Sequence, residues 1–290
     1  ARGRAPALQR ARAARVARGA VRPRVAKRRA VAYEAILAVN PGIVYCSTPA
    51  FGQAGPYVTR PAHDLATEAL AGIISVNRGF DGKPAIPGLA SADMLASMMG
   101  FSGVLMALLR RKETGQGDYV DLAMMDSLIA CMANNLSVVF TEKKPPSLAH
   151  ERAWGGYAMY RIYETKDERF VVMGASELHF AENVLKKFGR EDLIDLCQPP
   201  PGPHQQPVVD FLTETFKSKT QAEWVDWFKD VDCAFAPVNN LREACDDPQM
   251  RFREMIVEDH RGWEHVGIPI KFQNEPGRVN FDAPQLGEHT

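Results

Sequence analysis

The spacing of hydrophobic positions changes character about halfway along the chain. In the first half, short β-branched or aromatic runs alternate with longer apolar stretches of helical period. Ile43-Val44-Tyr45-Cys46-Ser47 reads as a buried strand, closed by Pro49 and Gly52. The pattern then predicts a helix over 63–74 and a long helix over 92–112 with Ser91 as its N-cap. A strand over 118–124 runs into a helix over 126–136, and a polar, proline-bearing connector occupies 143–156. Beyond it, 157–164 and 169–173 read as paired strands around Lys166-Asp167-Glu168. Helices follow over 177–188 and 191–196, then a stiff proline linker over 199–203. Helices over 208–216 and 220–228, a short strand over 235–238 and strands within 254–272 complete the chain. The expected class is α/β in the first half, with a smaller α+β unit after the connector.

Charge adds a division that hydropathy does not show. The 290 residues carry 35 basic and 35 acidic side chains, a net charge of zero. Residues 1–33 hold eleven Arg and Lys and no acid, which leaves 24 basic against 35 acidic residues in the remainder, a net of −11. Three readings fit this basic head: an Arg-rich targeting segment, a nucleic-acid-binding arm, or a disordered stretch. Its Ala/Arg repetition offers few large apolar groups, so disorder over 1–32 is the expectation and nucleic-acid binding is not. Five scattered cysteines without a CxxC pair point to reduced thiols in a cytoplasmic protein, and nothing implies a metal. The uncharged run 94–109 is shorter than the roughly 20 residues that span a bilayer. It is expected to be a buried core helix, with no membrane partner.

Candidate chemistry is sparse. Asp93 opens a long run of Met, Leu, Ala and Phe, where a carboxylate is available as nucleophile or base. A capping role in the first helical turn explains it as well. His63 at a helix start and Glu177 at a strand-to-helix junction are equally unspecific taken singly. No Walker A, HExxH, GxSxG or GxGxxG motif occurs.

Together, several segments resemble the class III (CaiB/BaiF-type) coenzyme A transferases, a family that includes the α-methylacyl-CoA racemases. They are Asn40-Pro41-Gly42-Ile43-Val44-Tyr45-Cys46-Ser47, Phe51-Gly52-Gln53-Ala54-Gly55-Pro56-Tyr57 and Arg60-Pro61-Ala62-His63-Asp64. Ala92-Asp93, Thr114-Gly115-Gln116-Gly117 and Ala236-Pro237-Val238 before Asp247-Pro248-Gln249 complete the series, which covers roughly Tyr33 to the end. The resemblance implies an incomplete Rossmann-like large domain over 33–150, a small α+β domain over 151–240 and a return to the large domain over 241–290. It also implies an interlocked homodimer. The family's first strand–helix units have no counterpart, so the N-terminal portion reads as missing or scrambled.

Carried over by position, Asp93 is the carboxylate that attacks an acyl-CoA thioester and then carries CoA as an aspartyl thioester before a small carboxylate accepts it. Arg22, Arg28 and Arg60 are implied as coenzyme A contacts. In racemases the matching aspartate works with a histidine and a glutamate, positions occupied here by His63 and Glu177. CoA transfer is the leading expectation and 2-methylacyl-CoA racemisation the alternative. An inactive remnant with a nucleic-acid-binding arm is the second alternative.

Overall fold

The computed structural model describes residues 4–19, 32–79 and 81–288. The chain divides into two compact units, 1–154 and 155–290.

The first unit is built on a parallel three-stranded sheet in the order β1-β2-β3, with β1 at Val16–Gly19, β2 at Val44–Ser47 and β3 at Asp118–Asp121. Val16 pairs with Val44, and Val44 with Asp118. Strand β2 is central and buried along its whole length, which explains its unbroken apolar reading. Helix α1 (Arg4–Ala13) precedes the sheet, and α2 (Tyr33–Leu37) stands before β2. Helices α3 (Asp64–Leu70) and α4 (Ile73–Val76) follow β2. The expected single helix over 63–74 is therefore divided. Gly72 sits between the two at φ +86°, a conformation that interrupts α-helix and that glycine adopts without strain.

Residues 4–19 correct the expectation of a disordered head. Ala11 is buried with Ile36, Ile43 and Tyr45, and Leu8, Ala14 and Ala17 pack against that group. The Asn40 side-chain amide donates to the carbonyls of Ala11 and Ala14, both at 2.9 Å, and so satisfies the end of α1. Small side chains suffice here because the large apolar surface comes from elsewhere in the unit.

Helix α5 (Ser91–Thr114) packs on the sheet through its smallest residues, and the expectation of a buried core helix is corrected as well. Ala92, Ala96, Gly100 and Ala107 are buried. A β-carbon on Gly100 would lie 3.3 Å from Thr48 Cγ2, and one on Gly103 would lie 3.1 Å from Val120 Cγ1. Met94, Met98, Phe101, Leu105 and Leu109, at spacings of four, three, four and four, form an exposed stripe. Composition alone makes the whole helix read as core; only the packing distinguishes its faces. With 24 residues and a mean hydropathy of 1.6 over its best window, α5 is long and apolar enough to cross a membrane, a test that core helices also pass. Helices α6 (Met124–Cys131) and α7 (Ser137–Glu142) close the unit, α6 shorter than the predicted 126–136.

The turn between α5 and β3 depends on Gly117. A β-carbon there would stand 1.9 Å from the Ile43 carbonyl oxygen, and backbone cannot yield to such an overlap. Gly117→Ala should therefore separate β3 from β2 locally, lowering the thermal midpoint by several degrees, as expected for a loss of about 1–3 kcal/mol. Differential scanning calorimetry checks this.

The second unit holds an antiparallel sheet of β4 (Tyr160–Glu164), β5 (Phe170–Gly174) and β6 (Phe235–Pro237), in that order. Helices α8 (Leu178–Lys187), α9 (Gln206–Phe216) and α10 (Gln221–Phe228) supply Val184, Leu185, Leu212, Phe216 and Trp224 to its core. Helices α11 (Leu241–Asp246) and α12 (Pro248–Phe252) and a hairpin of β7 (Ile256–Glu258) with β8 (Glu264–Val266) follow. Residues 241–290 group with this unit rather than with the first. Glu243 of α11 pairs with Arg169 beside β5, which ties the segment locally.

Candidate active site

The carboxyl ends of parallel strands are where open α/β sheets bind ligands. Here Arg18 on β1 and residues 48–52 after β2 border a cavity of about 500 Å³. The loop from β2 to α3 forms a further wall, and the first turn of α5 brings Asp93, Ala96 and Ser97 to it. Asp93 and His63 thus line one cavity, 30 positions apart in sequence. Arg60 lines it as well, its guanidinium 5.1 Å from the Tyr57 ring centroid, while Tyr57 meets Phe51 edge-on at 5.4 Å. This aromatic stack restricts where the Arg60 charge can go.

The loop is anchored to the strand ends. Gln53 donates from its side-chain amide to Ser47 Oγ and from its backbone to Asp121 Oδ2 at 3.4 Å. Beside this anchor, Cys46 is buried, and its thiol donates to the Gly100 carbonyl at 3.9 Å. Burial pushes that thiol above its usual pKa, only partly offset by Arg18, so it is a packing residue and not a thiolate nucleophile. Burial likewise raises the Tyr119 phenol, with Ser47 acting in the opposite direction.

The start of α5 departs from the expected geometry. Its N-cap is Ala90, which makes no side-chain cap bond, and Ser91 is already helical. Two free N–H groups of the first turn are met from α3. Asp64 Oδ1 accepts from Asp93 N–H at 3.0 Å, and Glu68 Oε1 accepts from Ser91 N–H at 3.1 Å. Asp64 therefore serves the neighbouring helix and not its own. Two N–H groups of this turn are thus occupied by carboxylates, and the cavity wall presents Arg18, Arg60 and His63 together with the hydroxyl-bearing Thr48, Tyr57 and Ser97. The i,i+4 spacing of Asp64 and Glu68, which puts two acids on one helix face, was the available signal for this pair.

The remaining expected site residues are Glu177, Arg22 and Arg28. Glu177 belongs to the second unit, where it is itself the N-cap position of α8, without a side-chain cap bond. Arg22 and Arg28 lie outside the described residues. Arg18 was not anticipated, because nothing in an Ala/Arg repeat singles out one arginine until β1 pairs with β2. Among the described residues no group of three His, Cys, Asp or Glu is arranged to hold a metal ion.

Comparison with known proteins agrees with this architecture. The family model described as CoA-transferase family III matches residues 1–290, the basic head included, which extends the resemblance beyond Tyr33. The chain is 26% identical over 269 residues to the Mus musculus succinyl-CoA:glutarate CoA-transferase, covering 89% of this chain and 61% of that protein. The Homo sapiens protein of the same name is 26% identical over 272 residues, covering 89% and 60%. The chain thus spans about three-fifths of the length of these relatives. In structure, it is similar to a CaiB/BaiF family protein from Brucella suis, with a TM-score of 0.81 and 22% identity, over 99% of this chain and 76% of that one. That likeness carries the fold.

Proposed function

The chain belongs to CoA-transferase family III, and from that premise we propose that it transfers coenzyme A from an acyl-CoA to a small carboxylate, with Asp93 as nucleophile. The observation that carries this reading is the placement of Asp93 in the first turn of α5, facing a cavity that also presents Arg18, Arg60 and His63. The names of the relatives suggest dicarboxylic substrates, succinyl-CoA as donor and glutarate as acceptor among them. Arg18 and Arg60 would give the cavity the positive charge that an anionic thioester and an incoming carboxylate require.

In this reading an Asp93 oxygen attacks the thioester carbonyl. A C–O bond forms, the C–S bond breaks, and CoA leaves as thiolate. The thiolate returns to the Asp93 carbonyl of the mixed anhydride and expels the first acyl group as its carboxylate. The resulting aspartyl-CoA thioester is attacked by the acceptor carboxylate, and the thiolate then moves to the acceptor's acyl carbon, restoring Asp93. Each step exchanges one activated acyl group for another, which divides a difficult transfer into easier ones. The arginines that line the cavity would stabilise the tetrahedral oxyanions. The reading includes the homodimer implied by the family resemblance, and the exposed apolar stripe of α5 supports burial against a second copy.

His63 and Asp93 on the same cavity favour one further reading, 2-methylacyl-CoA racemisation, in which one of the two removes the α-proton of the acyl group and the other protonates the resulting enolate from the opposite face. Peptide mass spectrometry after incubation with succinyl-CoA separates them. Transfer predicts a gain of CoA on the peptide containing Asp93, or a hydroxamate there when hydroxylamine is added. An unmodified peptide, together with α-deuterium uptake from heavy water by a 2-methylacyl-CoA supplied in place of succinyl-CoA, would replace transfer with racemisation.

A further inference from the structure

The first turn of a helix presents N–H groups that have no partner inside the helix. A serine or aspartate at the N-cap usually meets one of them. Helix α5 has Ala90 at that position and relies on Asp64 and Glu68 of α3 instead. Glu68 takes both donors of Ser91, the backbone N–H and the hydroxyl, on the same oxygen, Oε1.

Glu68 is also the more costly of the two acids to place. Its side chain is fully buried, at 0% exposure, and Oε2 has no hydrogen-bond partner among the described residues. A buried carboxylate with one idle oxygen is a poor way to cap a helix, because a local serine does so without a buried charge. What Glu68 supplies and a local cap does not is a link from α3, whose preceding residue is His63, to the turn that carries Asp93. Glu68 and Ser91 stand behind the cavity wall, which His63 and Asp93 line.

We propose that Glu68 is a positioning residue of this site. By holding both donors of Ser91, it sets the rotation of the first turn of α5 and so directs the Asp93 carboxylate relative to His63. The proposal rests on the reading of Asp93 as nucleophile. Attack on a thioester requires reacting atoms about 3–3.5 Å apart and aligned, and a misplacement of 1 Å can cost about 100-fold in rate. Glu68 touches no substrate, so its loss should appear in kcat and not in acyl-CoA binding.

The test compares wild type, Glu68→Ala and Glu68→Gln. Turnover is counted per Asp93 able to form an adduct, and amide hydrogen exchange is followed in the segment 90–96. Glu68→Ala should lower kcat about 10- to 100-fold with KM for acyl-CoA within about threefold, and should speed exchange in 90–96. Glu68→Gln keeps an oxygen acceptor for Ser91 and should recover most of the rate. A merely structural role would lower the number of competent sites while leaving kcat per site unchanged, and that result overturns the proposal. Unchanged exchange in 90–96 overturns it too. If Glu68→Ala does not fold, Ser91→Ala removes the hydroxyl half of the link and should cost about 3- to 10-fold in kcat; an unaltered kcat there is equally fatal. Wild type that forms no adduct and transfers no CoA refutes the transferase reading, whereas the exchange comparison still decides whether Glu68 anchors the turn.

Discussion

Asp93→Ala should remove CoA transfer, with kcat falling by at least about 10³-fold, because without its nucleophile the site has no group on which to carry CoA. Fold and substrate affinity should change little by comparison. The Asp93 side chain is exposed to the cavity, and the bond its residue makes to Asp64 comes from the backbone N–H, which alanine retains. Helix α5 would lose a favourable charge from its first turn, worth about 0.3–1 kcal/mol, a small part of total stability. The measurement is steady-state transfer from succinyl-CoA to glutarate, alongside a thermal melt. Transfer at the wild-type rate by a folded Asp93→Ala protein would eliminate Asp93 as the nucleophile. A variant that binds acyl-CoA, melts normally and gives neither adduct nor product is the expected result.

Trp224→Ala should be the most damaging single truncation of the second unit, at about 3–5 kcal/mol. Trp224 is 1% exposed, its ring centroid lies 5.1 Å from that of Phe216 and 5.9 Å from that of Phe188, and its indole N–H donates to the Phe216 carbonyl at 2.8 Å. Alanine would leave a cavity among aromatic rings that cannot all close on it and would strand a buried carbonyl. Trp224→Phe keeps most of the ring contacts and loses the donor, for about 1–3 kcal/mol. Urea denaturation followed by far-ultraviolet circular dichroism orders the three proteins. Equal midpoints for Trp224→Ala and wild type would show that this aromatic cluster is not the support of the unit.

The two substitutions differ in how visible their sites are in the sequence. Trp224 sits in a helix whose period is plain, and the expected 220–228 coincides closely with Gln221–Phe228. The hairpin of β4 and β5 falls where alternation around Lys166-Asp167-Glu168 indicates it, and β2 where its continuous apolar run does. These elements are legible because each depends on residues close in sequence: a repeat of 2 or 3.6, a turn, or a cap.

The cavity depends on residues far apart, and there the sequence says less. It brings Asp93 and His63 forward as candidates and, through family resemblance, puts them in one mechanism. It does not reveal that Arg18 joins them, because that follows from β1 pairing with β2 out of a head that reads as disordered. Nor does it reveal that Asp64 and Glu68 cap a helix beginning 23 residues after Glu68. For α5, composition reports hydrophobicity but not direction, so packing alone separates the alanines and glycines on the sheet from the methionines and leucines left exposed.

What the sequence determined by itself was the alternation of elements and the identity of the nucleophile candidate, set by local period and by motif order. What the tertiary structure decided was which charges share the cavity and which N–H groups remain free there. The reason is physical: hydrogen bonds and burial act across a few ångströms of space, and only the folded chain determines which residues lie within that reach.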